Sequence, residues 1–234
     1  MTLYIYGNQH WSPFSRQLLR QRYHSILAHT HAGPSFIAVE AGEHIFRSIV
    51  LAQREAFLEQ SRNDEILRSL PKQLIEGFAL TIGHEADAHV DIFPPDTTVL
   101  WLDSYLDDDP DSQKLASSLA NRYVHFLKQV LAELTGSFTQ ERLLAELQRQ
   151  LDLNVAAPSD FERDRIWADL IIKQADTAPS AVGVVVVGAG HIQQTGEYLG
   201  RLLKNAGVHH VSEDLRKDID KCQQQAVQLL YRED

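Results

Sequence analysis

The sequence predicts an α/β protein: a central, mostly parallel sheet covered by helices on both faces. Three observations carry that expectation. Short apolar runs rich in β-branched and aromatic residues, Leu3 to Tyr6 and Val184 to Val187 among them, end on glycine and do not alternate with polar residues, as strands buried on both faces require. These runs are separated by stretches of helical length, the order that produces parallel strands joined by helices. At 234 residues, 44% hydrophobic and 23% charged, the chain can bury one sizeable core.

Taken in order, the first strand ends at Gly7, and Ser12 followed by Pro13 caps and opens a helix running to about His29. Gly33-Pro34 breaks the chain before a second buried strand, Ser35 to Glu40. Helices are expected from about Glu43 to Arg62 and from Asp64 to Leu80, the latter broken or kinked at Pro71. Gly83-His84-Glu85 opens a short helical segment to about Val90, and Pro94-Pro95-Asp96 turns into a third strand, Thr98 to Asp103. The acidic stretch Asp107 to Asp111 reads as a solvated helix entrance rather than a metal site. Helices from Ser112 to Leu134 and Thr139 to Leu151 follow, and Ser159-Asp160-Phe161-Glu162 has the capping-box pattern for a helix to about Gln174. The Val184 strand, a helix from His191 to Asn205, an edge strand Val208 to Val211 and a final helix to about Leu230 complete the chain. The whole reads as a single domain, 1–234, with a helical insertion at about 107–158.

Charge and composition narrow the function classes. Lys and Arg number 22 against 32 Asp and Glu, net −10, which argues against a nucleic-acid or anionic-membrane partner. The single cysteine, Cys222, forms no internal disulfide, no apolar run reaches bilayer-spanning length, and the N-terminus opens on a strand rather than a signal segment. The expected location is cytoplasmic.

The chemistry gathers at strand ends. Gly-x-x-His occurs twice, as Gly7 to His10 and as Gly188 to His191, each time at the end of an apolar run. One copy alone carries little information; repetition in matching strand-to-helix contexts places both histidines at the edge where α/β folds bind ligands. Glycine suits the turn through close ligand approach or a positive φ. Glu40 and Asp103 end two further strands, and Glu85 opens the helix before the third. Two imidazoles with carboxylates form the donor set of a catalytic Zn, Mn, Co or Fe site with an open position where water is acidified. Against this stands the plain reading in which such residues merely cap the next helix. Five converging on one edge favour function, because unpaired buried charges are costly. His24, His29, His31, His44 and His125 read as surface or packing residues; His84 and His89 are either partners behind the site or solvated. His209 and His210 point to opposite faces of a strand. Arg163 is a candidate clamp for a substrate oxyanion or a helix-surface ion pair.

This order of residues, with a Gly-x-Glu helix start before a strand ending Leu102-Asp103, the triplet Glu162-Arg163-Asp164 and the turn Val186-Val187-Gly188-Ala189-Gly190-His191, resembles the TIKI/TraB superfamily, linked to ChaN-like and erythromycin-esterase-like proteins. The resemblance covers Tyr4 to about Leu203. It implies an α/β fold with both Gly-x-x-His histidines and acidic residues in the site, metal-dependent proteolysis with Mn or Co in the TIKI branch, and matching positions at His10, Glu40, Glu85, Arg163 and His191. Two departures are that Ser104 follows Asp103 where members often have arginine, and that no membrane helix is present.

The leading expectation is a hydrolase acting on an amide or ester of a small-molecule or peptide substrate, with His10, His191 and Glu40 holding a divalent metal (Mn, Co or Zn). Glu40 or Glu85 serves as base or further ligand, and Arg163 stabilises negative charge. The alternatives are a small-ligand or haem/iron-binding protein of ChaN-like type without turnover, and a nucleotide-binding domain suggested by Gly188-x-Gly190, in which Gln193 stands where a third glycine belongs.

Overall fold

Five parallel strands form one sheet in the order β3-β2-β4-β1-β5 in the computed structural model. The strands are β1 (Thr2–Asn8), β2 (Phe36–Val39), β3 (Thr98–Trp101), β4 (Val182–Gly188) and β5 (His209–Asp214). The structure describes residues 1–10, 15–30, 33–70, 72–133, 161–177, 182–192, 198–216, 218–219 and 221. The caps expected at Ser12-Pro13 and Ser159-Asp160, the break at Pro71, His31, the helix Thr139 to Leu151, Cys222 and most of the final helix lie outside them.

The helices are α1 (Ser15–Thr30), α2 (Glu43–Ile45), α3 (Leu51–Asn63), α4 (Lys72–Thr81), α5 (His84–Asp87), α6 (Pro110–Ser117), α7 (Leu119–Glu133), α8 (Phe161–Thr177) and α9 (Tyr198–Asn205). Side-chain alternation in the central strands splits the core into two layers. Val184 and Val186 of β4, with Ile37 and Val39 of β2, pack with Leu19 and Tyr23 of α1, Phe57 of α3, Phe78 of α4 and Tyr123 of α7. Val185 and Val187, with Leu3 and Ile5 of β1, face Trp167 and Ile171 of α8 and Leu199 and Leu203 of α9. The sheet is thus covered on both faces. The described part of the expected insertion, α6 and α7, belongs to the first of these layers, since Ala116, Ala120 and Phe126 join the same core. Among the described residues no helix is long and apolar enough to cross a membrane.

Several boundaries differ from the sequence expectation, each for a local reason. The third strand stops at Trp101; Asp103, at φ −102° and ψ 20°, turns the chain into the 3-10 turn Ser104–Leu106. His191 lies in a 3-10 turn, Ala189–Ile192, and the helix after it is described only from Tyr198. Helices α2 and α3 are joined by a π turn, Phe46–Val50. The helix expected from Ser112 begins earlier, at Pro110, because the Asp109 carboxylate accepts from Ser112 N at 2.8 Å; its neighbour Asp107 likewise caps α2 through His44 N and Ile45 N. The acidic stretch therefore serves helix starts.

Glycine acts differently from expectation at the two motifs. Neither Gly7 nor Gly188 has positive φ; both remain within their strands. Close approach is what requires them: a Cβ on Gly7 would lie 2.2 Å from Ile192 Cδ1, and one on Gly188 2.9 Å from His10 Nε2. Positive φ appears instead at Gly83, at 71°, where the left-handed turn opens α5 and a Cβ would meet Val50 and Phe46. That turn sets Glu85 on the sheet edge.

Candidate active site

Three adjacent strands, β2, β4 and β1, deliver Glu40, His191 and His10 just beyond their C-terminal ends, and α5 delivers Glu85. Glu40 is the hub. Its Oε2 accepts from Gly188 N at 2.5 Å and lies 3.7 Å from His10 Nε2, while Oε1 lies 2.9 Å from Arg163 Nη2 and 3.9 Å from His191 Nε2. His10, Glu40, Glu85, Arg163 and His191 therefore meet at one edge of the sheet.

The two imidazoles are held in the same way. His10 Nδ1 donates to Glu85 Oε1 at 2.6 Å, and His191 Nδ1 donates to Asp164 Oδ1 at 2.6 Å. A carboxylate on Nδ1 fixes that nitrogen as the protonated one and leaves Nε2 as the working atom. In both rings Nε2 turns toward Glu40. The His10 side chain is 41% exposed, whereas those of Glu40, Glu85 and His191 are 10% or less, so His10 is the member that meets solvent.

Behind this set stand Asn8 and Asp164, to which the sequence assigned no role, and His84. Asn8, buried at the end of β1, donates through Nδ2 to Glu85 Oε1 at 2.9 Å and to His84 Nε2 at 2.6 Å. His84 is fully buried and donates from Nδ1 to Thr81 O at 2.7 Å, which leaves Nε2 the acceptor of the Asn8 amide and the ring neutral; burial lowers its pKa. Of the two readings left open for His84, partnership behind the site is the one observed. His89 is buried without such a link, and burial lowers its pKa too. Asp164 is fully buried on the face of α8 that carries Trp167, Ala168 and Ile171, and a carboxylate on an apolar stripe is the signal by which sequence reasoning could have found it.

Arg163 makes the contacts of a clamp and of an ion pair at once. It donates from Nε to Asp103 Oδ1 at 3.1 Å and from Nη2 to Asp103 Oδ2 at 2.5 Å, and its guanidinium lies 4.4 Å from the Trp167 ring centroid. Asp103 also accepts from Trp167 Nε1 at 3.0 Å. The arginine contact that Ser104 does not supply thus reaches Asp103 from α8. Burial works against the charged guanidinium, but Glu40 and Asp103 outweigh it and raise its pKa.

Electrostatics follow this geometry. Burial disfavours charged His10, yet Glu40 and Glu85 push its pKa up from 6.5 to about 9. For Glu85, burial is more than offset by the His84 and His10 imidazoles, which bring it down from 4.5 to about 2. Glu40 is lowered as well: burial is outweighed by His10, Arg163, His191 and the Gly188 amide. The raised His10 value contributes stability that is complete below 6.5 and lost as pH rises through about 9, while the lowered Glu85 value contributes stability present above 4.5 and lost as pH falls toward 2. Replacing Glu85 by Gln should therefore bring the His10 midpoint from about 9 back toward 6.5, read from its imidazole resonances in an NMR pH titration. An unchanged midpoint would assign the shift to Glu40 alone.

Donor chemistry suits a divalent cation. His10, His191 and Glu40 are the residues that would hold it, two imidazoles and a carboxylate being a donor set such cations accept. As the side chains stand, with Glu40 engaged by Arg163 and Gly188, no group of three or more His, Cys, Asp or Glu among the described residues is arranged to hold a metal ion.

Comparisons with family models, curated proteins and solved structures found no match to this chain.

Proposed function

We propose that the cleft is a hydrolytic centre for an amide or ester of a small-molecule or peptide substrate, with His10, His191 and Glu40 holding a divalent cation (Mn, Co or Zn). The observation that carries this reading is the matched pair of imidazoles, each fixed through Nδ1 by a buried carboxylate and each turning Nε2 to the same carboxylate. When bound, such a cation supplies a Lewis acid that polarises a carbonyl and acidifies water.

The chain's own residues divide the remaining work. Glu40, between the two Nε2 atoms, is placed to accept a proton from attacking water. Glu85, whose Oε1 accepts from His10 and Asn8, holds His10 in the required tautomer. Asp164 does the same for His191. Arg163, fixed by Asp103 and Trp167, keeps a positive charge beside Glu40, where it balances negative charge developing on the substrate oxygen.

Calorimetric titration with Mn, Co and Zn should show binding in the wild type and none in the His10→Ala, His191→Ala double variant. Affinity should fall as pH is lowered, because protons compete for a histidine whose metal-free pKa is about 9. No heat in the wild type beyond that of the double variant removes the cation from the proposal. A panel of peptide and ester substrates with added Mn or Co tests turnover. Should the wild type cleave none of them while Glu40→Gln and Glu85→Gln still bind the same small ligand, the ligand-binding reading replaces the hydrolase.

A further inference from the structure

A cavity of about 220 Å³ opens between the C-terminal end of α3, the 3-10 turn Leu67–Ser69 and the start of α4, using none of the residues at the strand ends. Its walls are apolar: Leu58, Leu67, Leu70 and Ile75. Ser61, also in the lining, is only 2% exposed, and its hydroxyl has no hydrogen-bond partner. A helical hydroxyl ordinarily returns to a carbonyl one turn earlier, as Thr30 and Ser117 do here. One left idle in a buried wall is destabilising unless something in the cavity meets it.

The rim has the opposite character. Arg62 and Arg68 are exposed with no acidic partner among the described residues, and Lys72 meets only Glu76, at 3.5 Å. Asp64, the next acid along the chain, is taken up by Lys128 at 2.7 Å and by the Ile66 and Leu67 amides. Among the residues that line the cavity, three cations stand against one acid, Glu76. The ten-residue α4 also begins at Lys72, so the positive end of its dipole lies at the same rim.

We propose that this cavity binds a small amphipathic anion, a medium-chain aliphatic carboxylate. Its chain lies against Leu58, Leu67, Leu70 and Ile75. Its carboxylate sits at the rim beside Arg62 and Arg68, where the Ser61 hydroxyl donates to it. The site is independent of the hydrolytic reading and stands or falls separately.

Calorimetric titration of the full chain with sodium octanoate should give saturable one-to-one binding. 1-Octanol, which offers the same chain without the charge, should bind at least about tenfold more weakly, since a charge-assisted contact is lost. Arg62→Glu with Arg68→Glu, both at exposed positions, should weaken octanoate by about tenfold or more, and Ser61→Ala by about threefold to tenfold. Circular dichroism melts verify that the variants remain folded. The proposal is overturned if the wild type shows no saturable heat, if octanol binds as tightly as octanoate, or if the double charge reversal binds octanoate like the wild type.

Discussion

Glu40→Gln is expected to lower hydrolysis by about a thousandfold and to abolish divalent-cation binding while leaving the fold intact, the magnitude being typical of a lost general base. Gln preserves the volume of Glu40, and the side chain already accepts from two donors, the Gly188 amide and Arg163. What changes is charge and acceptor count. An amide keeps one acceptor oxygen and puts an NH2 group in place of the other, so either Gly188 N or Arg163 loses its partner. The His10 pKa should fall as well, since Glu40 is one of the two carboxylates raising it. Initial rates with added Mn or Co, calorimetry and a thermal melt measure the three effects separately. Retention of more than about a tenth of the wild-type rate would remove Glu40 from the proton-transfer role.

Trp167→Ala should cost about 3–5 kcal/mol of stability, the usual range for deleting a fully buried large aromatic side chain. Trp167 has no exposed surface and fills the layer between α8 and the sheet beside Val185 and Val187. Its ring stands 4.6 Å from the His191 ring and 4.4 Å from the Arg163 guanidinium, and Nε1 donates to Asp103. Alanine leaves a cavity and withdraws that bond from a buried carboxylate, so the melting temperature should drop by about 6–20 °C for a domain of this size. Trp167→Phe keeps most of the apolar contact and should lose less than half as much. Urea unfolding followed by circular dichroism distinguishes the two. Equal losses would place the energy in the Asp103 bond rather than in packing.

The frame of the fold was legible from residues near one another in the chain. The glycine-terminated run at Val184 to Val187 fixes a strand, and the regular alternation of runs with helix-length segments fixes parallel order, because both depend on local backbone preference and period. For the same reason the strand-end positions of His10, Glu40 and Asp103 were readable, since a residue just past a parallel strand has one edge to occupy. His191 was placed at the right edge but in the wrong element: its 3-10 turn is not distinguishable by period from a first helical turn.

What the sequence determined by itself is therefore the parallel sheet, its two covering layers, and a shared edge for His10, Glu40, Glu85 and His191. Only the tertiary structure decided that Asn8 and His84 stand behind Glu85, that Asp164 rather than a nearer carboxylate holds His191, and that Arg163 is shared between Glu40 and Asp103. These pairings join residues 76, 27 and 60 positions apart in the chain. Hydrophobic period and propensity act within a few residues, whereas a hydrogen bond across such distances exists only once packing brings the two helices and the strand ends to one place and burial makes an unpartnered polar group too costly to keep.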